Sequence, residues 1–160
     1  MFEYVDKEYI KNNNFKKTGL EHQEQEQKSY RLSEAQVKKI GADIDGRKTK
    51  LRTKISTIAY EKFNLDYKQI EVKCDIGESS MRKYLKGTRN MSRAALMKFC
   101  SGACVTVEEA EELFVLFGHA LDPENNLVDA IVIDNIKCKE GIEILYEECE
   151  KNEVLKEVFK

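Results

Sequence analysis

Tryptophan is absent from this 160-residue chain, and proline occurs once, at Pro123. Helix breakers are therefore scarce, and stretches rich in Lys, Glu, Leu and Ala are free to run as helix. No segment approaches the ~20 consecutive apolar residues of a membrane span. The N-terminus carries Glu3, Asp6, Lys7 and Glu8 where a signal peptide needs an apolar stretch. These absences predict a cytoplasmic, all-α protein that does not associate with membranes.

The marks of an enzyme are missing too. There is no glycine-rich phosphate loop and no Ser-His-Asp set, and His119 stands isolated in "FGHAL". The pairs Glu108-Glu109 and Glu111-Glu112 fit the polar face of a helix rather than a convergent acid/base site. No catalytic residue is assigned, and the chain is expected not to be an enzyme. Five cysteines, an odd number widely spread, make no disulfide framework. Only Cys100 and Cys104 are close, and both histidines lie far from them, so no metal site and no cofactor are expected. The cysteines are read as small core residues in a reducing compartment.

What is present is charge, unevenly placed. The net charge of −2 hides three regions. Residues 1–46 hold 8 Lys/Arg and 9 Asp/Glu, residues 47–104 hold 14 and 5, and residues 105–160 hold 5 and 15. A basic centre joined to an acidic C-terminal third points to a polyanion-binding segment beside a segment with another role.

Periodicity orders the chain further. Residues 1–30, with "KNNNFKK" and "EHQEQEQK", are low in apolar content and read as a flexible arm. Ser33 is placed to cap a helix bearing Val37, Ile40 and Ile44, with a break expected around Gly46. Leu51, Ile55, Ile58, Ala59 and Phe63 then recur at helical spacing. Asp66 can cap "YKQIEVKC", and a helix beginning at Gly77 or Ser79 would bury Met81, Tyr84 and Leu85 and close at Gly87. Ser92 and Thr106 are caps for the next two helices, the second with Glu109 in capping-box position. Asp122-Pro123 reads as a cap and first helical residue. Leu127, Ile131, Ile133 and Ile136 continue helically, although "AIVI" alone also fits a strand. Gly141 precedes a last amphipathic stretch with Ile142, Leu145, Tyr146 and Cys149.

Two short helices around a tight turn, followed by Gly and a basic residue, describe a helix-turn-helix. "QIEVKCDIGESSMRKYLKGTRNMSRAALMKF" resembles the phage-repressor-like (XRE) helix-turn-helix family over roughly residues 50–121. Ile70 takes the family's first leucine position, Ile76 the turn hydrophobe, and Met81 and Tyr84 the buried positions of the recognition helix. Gly87, Arg89 and Ser92 match its closing "GxRxxS". Three residues depart from the pattern: Glu71 stands where Ala is usual, Asp75 where Gly is usual in the turn, and Gly77 where Ser usually caps. Glu71 raises the alternative of a register shifted by one, onto Val72.

The resemblance implies a lambda-repressor-like helix-turn-helix bundle with extra N- and C-terminal helices. The organisation is then a flexible arm over 1–30, a helix-turn-helix domain over 31–121 and an acidic helical extension over 122–160. It implies a sequence-specific regulator of transcription, a repressor of phage or mobile-element type, bound to double-stranded DNA as a homodimer. In that family a helix enters the major groove, its N-terminal residues meet base edges, and neighbouring groups hold phosphates. Carried onto this chain, Glu78, Ser79, Arg82 and Lys83 face the groove, with Arg82 the best candidate for a bidentate guanine contact. Lys86, Arg89 and Arg93 hold the backbone, supported by Lys68 and the helix N-terminus at Ser92. The basic run Arg47–Lys54 either extends that phosphate face or decorates a helix.

A rival reading remains open, because helix-turn-helix folds are reused. The basic centre could grip an acidic protein, as in an antitoxin, a phage-encoded inhibitor of a defence system or a defence-accessory subunit. The acidic C-terminal helices could bind a protein partner or build the homodimer through residues 123–160.

Overall fold

The computed structural model describes residues 31–159, and among them every regular element is a helix. The all-α expectation is met. The arm over residues 1–30 lies outside the described residues. The chain divides into two compact units between Asp43 and Ile44. Of the first unit only residues 31–43 are described, and all of them are exposed.

The first helix is α1 (Glu34–Phe63). It starts as the sequence predicts: the Gln36 N–H donates to the Ser33 hydroxyl (3.1 Å) and the Ser33 N–H donates back to the Gln36 side chain (2.8 Å). The expected break at Gly46 does not occur. An interior glycine costs about 1 kcal/mol relative to alanine, and α1 carries two of them, Gly41 and Gly46, without ending at either. Nothing packs within 4 Å of where a Gly46 Cβ would stand, so no neighbour enforces a turn there. Val37, Ile40 and Ile44 form the predicted stripe but remain exposed. Burial begins with Ile55, Ile58, Ala59 and Phe63.

After α1, Asn64 and Leu65 adopt left-handed backbone and Asp66 caps α2 (Tyr67–Cys74), accepting from the N–H groups of Lys68 and Gln69. Next come α3 (Glu78–Lys86), α4 (Arg93–Gly102) and α5 (Val107–Phe117). The capping box predicted for α5 is present, with Thr106 and Glu109 exchanging both hydrogen bonds. Helix α6 (Leu127–Cys138) starts four residues later than Pro123 suggests. Residues 122–126 instead form a turn in which the Asn126 N–H donates to the Asp122 carbonyl (3.0 Å), and the Asn126 side chain caps α6. "AIVI" is helical. The chain ends with α7 (Ile142–Lys151) and the short α8 (Leu155–Val158).

Within residues 44–159 the organising element is α4, which packs on α2, α5, α6 and α7. Its Ala95, Leu96, Met97, Phe99, Cys100, Ser101 and Gly102 are all buried. One core holds Phe63, Ile70, Met81, Phe99 and Phe114 together with Val132, Ile136, Ile142, Leu145 and Cys149. Leu127 of α6 is exposed, whereas Val132, Ile136, Ile142, Leu145 and Cys149 of α6 and α7 face this core. Burying such side chains contributes about 1.5–3 kcal/mol each, which explains why they fold inward.

Glu71 and Val72 are both exposed. Close approach of α2 and α4 is made from the other side, by Gly102: a Cβ there would lie 2.2 Å from the Lys73 carbonyl oxygen and 2.5 Å from Cys74 Sγ. No helix among the described residues is long and apolar enough to cross a membrane.

Candidate nucleic-acid interface

The turn between α2 and α3 is only Asp75-Ile76-Gly77. Asp75 takes left-handed backbone (φ 56°, ψ 43°), which aspartate tolerates better than most side chains, and its N–H donates to the Glu71 carbonyl. Ile76 is buried as the plug of the turn. Two side chains from elsewhere fasten Asp75. Lys98 of α4 donates to its carbonyl oxygen at 2.9 Å, and the Tyr146 hydroxyl of α7 donates to its carboxylate. Burial, the hydrogen bond to Asp75 and the Asp75 charge push the Tyr146 pKa up, so the hydroxyl keeps its proton as a donor. The acidic C-terminal region therefore reaches back to hold the turn that sets α3.

Helix α3 is strongly amphipathic. Met81 is fully buried, Tyr84 and Leu85 are half-buried, and Gly87 ends the helix in left-handed conformation (φ 82°) with its N–H on the Lys83 and Tyr84 carbonyls. The opposite face brings Glu78, Ser79, Arg82, Lys83 and Lys86 together with Thr88 along one open depression. All four expected base-reading residues lie there.

Arg82 is already engaged. Its Nη2 pairs with Glu78 Oε2 at 2.7 Å, its Nε donates to the same oxygen at 2.8 Å, and its guanidinium sits 4.3 Å from the Tyr67 ring centroid. The pair is an i,i+4 contact with the acid N-terminal to the base, the favoured order on a helix. Tyr67, one residue beyond the α2 cap, gave no sequence signal because its partner lies on another helix.

The expected phosphate contacts are dispersed. Lys86 stays with the α3 depression, whereas Lys68 lines a separate one with Lys62, Lys73 and the exposed Val72. Arg89 sits 5.7 Å from the Tyr84 ring centroid, with Nη1 3.4 Å from Ser80 Oγ. The Ser92 hydroxyl accepts from the Ala95 N–H as the cap of α4.

Arg93 does not sit as a phosphate contact: it is turned into the protein. Nη1 and Nη2 donate to the two Asp129 oxygens at 2.8 and 3.0 Å, Nη2 also donates to the Ala120 carbonyl at 3.2 Å, and the group packs 5.3 Å from the Phe114 ring centroid. Asp129 accepts in addition from the Asp122 N–H at 2.9 Å. Burial opposes ionisation of Asp129. The hydrogen bonds from Arg93 and Asp122 and the charges of Arg93 and His119 outweigh it, holding the carboxyl below its usual range. In the basic run Arg47–Lys54, Lys54 pairs with Glu112 at 3.0 Å, while Lys48 and Arg52 border an apolar cleft.

Comparison with protein-family models, curated proteins and solved structures gives no significant match to this chain.

Proposed function

We propose that this protein is a sequence-specific DNA-binding regulator of transcription, a repressor that acts in the cytoplasm without catalysis and reads double-stranded DNA with α3 as the second helix of a helix-turn-helix. The observation that carries the reading is the two-sidedness of α3: Met81 anchors it, and Ser79, Arg82, Lys83 and Lys86 share its open face. The fastened turn at Asp75 supports it, since base readout needs a helix held at a fixed angle. An exposed pair such as Glu78–Arg82 is worth under about 1 kcal/mol. A guanine edge or a phosphate can therefore take the place of Glu78 as the acceptor for Arg82.

The engagement of Arg82 by Glu78 and Tyr67 favours one rival, in which the same depression grips an acidic protein surface. Titration of the full chain against the promoter of its own reading frame and a scrambled duplex, at 50 and 200 mM salt, separates the two. Repression predicts tight binding to the promoter only, a steep loss with salt, and a base preference that relaxes in Arg82→Ala. Equal, weak binding to both duplexes would overturn the reading in favour of a protein partner.

A further inference from the structure

A cleft of about 270 Å³ opens between the Lys48–Ile55 stretch of α1, the loop after α3 and the end of α5. Its floor is apolar, made by Leu51, Ile55, Met91, Leu116 and Phe117. Its rim carries Lys48, Arg52 and Arg89, and no carboxylate lines it. Arg52 is half-buried, yet neither it nor Lys48 forms an ion pair or side-chain hydrogen bond among the described residues. The guanidinium is nonetheless seated. Gly87, the left-handed residue that ends α3, leaves room for it, and a Cβ at Gly87 would stand 2.6 Å from Arg52 Nη1.

A cation held over an apolar floor without a counter-ion is poorly solvated, and an anion relieves that cost. A guanidinium presents a planar fork that fits a carboxylate bidentately. The floor asks for an apolar body on the same ligand, and the volume lies near the small end of ligand pockets, roughly 300–1,000 Å³. A DNA backbone offers the anion but no apolar body. We infer that this cleft binds a small organic acid, with its carboxylate on Arg52 between Lys48 and Arg89 and its aromatic or branched alkyl body on Leu51, Leu116 and Phe117. The site stands apart from the α3 depression and does not depend on the DNA-binding reading.

The test uses the full chain with 1-naphthoate, its neutral counterpart 1-naphthalenemethanol, and inorganic phosphate, followed by amide NMR shifts and calorimetry. The inference expects saturable one-to-one binding of 1-naphthoate, with shifts centred on Leu51–Ile55, Gly87–Met91 and Leu116-Phe117. The alcohol binds at least tenfold more weakly, and Arg52→Gln weakens 1-naphthoate at least tenfold while leaving the alcohol unchanged. Arg52→Lys, which keeps the charge and loses the fork, gives an intermediate affinity and serves as the readout should Arg52→Gln fail to fold. Equal affinity for acid and alcohol, or wild-type affinity for 1-naphthoate in Arg52→Lys or Arg52→Gln, would overturn the inference. So would inorganic phosphate shifting the same amides at the same concentrations, which would make the cleft a site for phosphate alone.

Discussion

Two arginine–carboxylate pairs in this chain share nearly the same geometry and differ in everything around it. On α3, Arg82 and Glu78 meet at 2.7 Å with side chains 53% and 48% exposed. At the junction of α4 and α6, Arg93 and Asp129 meet at 2.8 Å with side chains 21% and 2% exposed. The first pair joins residues four apart on one helix and leaves both ends of its charge in water. The second joins residues 36 apart, with further donors from Asp122 and acceptors at Ala120. Distance alone says little about what an ion pair does. Solvent decides: the α3 pair is open to exchange with a ligand, whereas the α4–α6 pair is a tertiary fastening.

Removing one carboxylate from each pair should break that symmetry most visibly. Asp129→Ala leaves a largely buried guanidinium without its partner, which costs about 3–5 kcal/mol. Glu78→Ala removes an exposed partner and costs under about 1 kcal/mol. Urea unfolding of the two variants should therefore give a large drop in midpoint for the first and almost none for the second. Similar losses in both would show that the Arg93–Asp129 pair is solvated in solution.

Two glycines carry the same contrast between a tertiary and a local constraint. Gly102→Ala drives a methyl against the Lys73 carbonyl, a backbone atom that cannot swing aside, and overpacking of this kind costs about 1–3 kcal/mol. Gly46→Ala meets open space in the middle of α1 and should stabilise the helix by up to about 1 kcal/mol. Thermal unfolding of both variants reads the opposite signs. A destabilised Gly46→Ala would mean that α1 bends at Gly46 after all.

These pairs also show where sequence reasoning reaches and where it stops. The caps at Ser33, Asp66, Ser92 and Thr106, the left-handed end at Gly87 and the buried face of α3 are all legible, because each depends on residues within a turn or two. The gathering of Glu78, Ser79, Arg82, Lys83 and Lys86 follows from helical spacing alone. Arg93 was misplaced because its partner is 36 residues away, with no local pattern linking them. The bond from Tyr146 to Asp75 spans 71 residues and is equally invisible. The late start of α6 is local instead: the Asn126 side chain caps the helix by accepting from the Asp129 N–H, in place of the Asp122-Pro123 start. Gly46 points in the other direction: a residue that often ends helices stands inside α1, as Gly41 does.

Acid provides a gentler version of the first comparison. Asp129 has its pKa lowered in the folded protein despite burial, chiefly by hydrogen bonds from Arg93 and Asp122. The unfolded chain binds that proton near pH 3.9, the folded chain only at lower pH. Its contribution is therefore fully present above about pH 4 and is lost as pH falls through the folded pKa. Protonation leaves the side chain and one acceptor oxygen in place, so the loss is smaller than in Asp129→Ala. Measured against Asp129→Asn, the wild-type advantage should be constant from pH 7 to 5 and shrink below about pH 4. The corresponding difference against Glu78→Gln should be small at every pH, because water already solvates that pair. An Asp129→Asn difference that stayed flat down to pH 2 would mean that the carboxylate's charge contributes nothing, and that shape and hydrogen bonding alone hold α6 to α4.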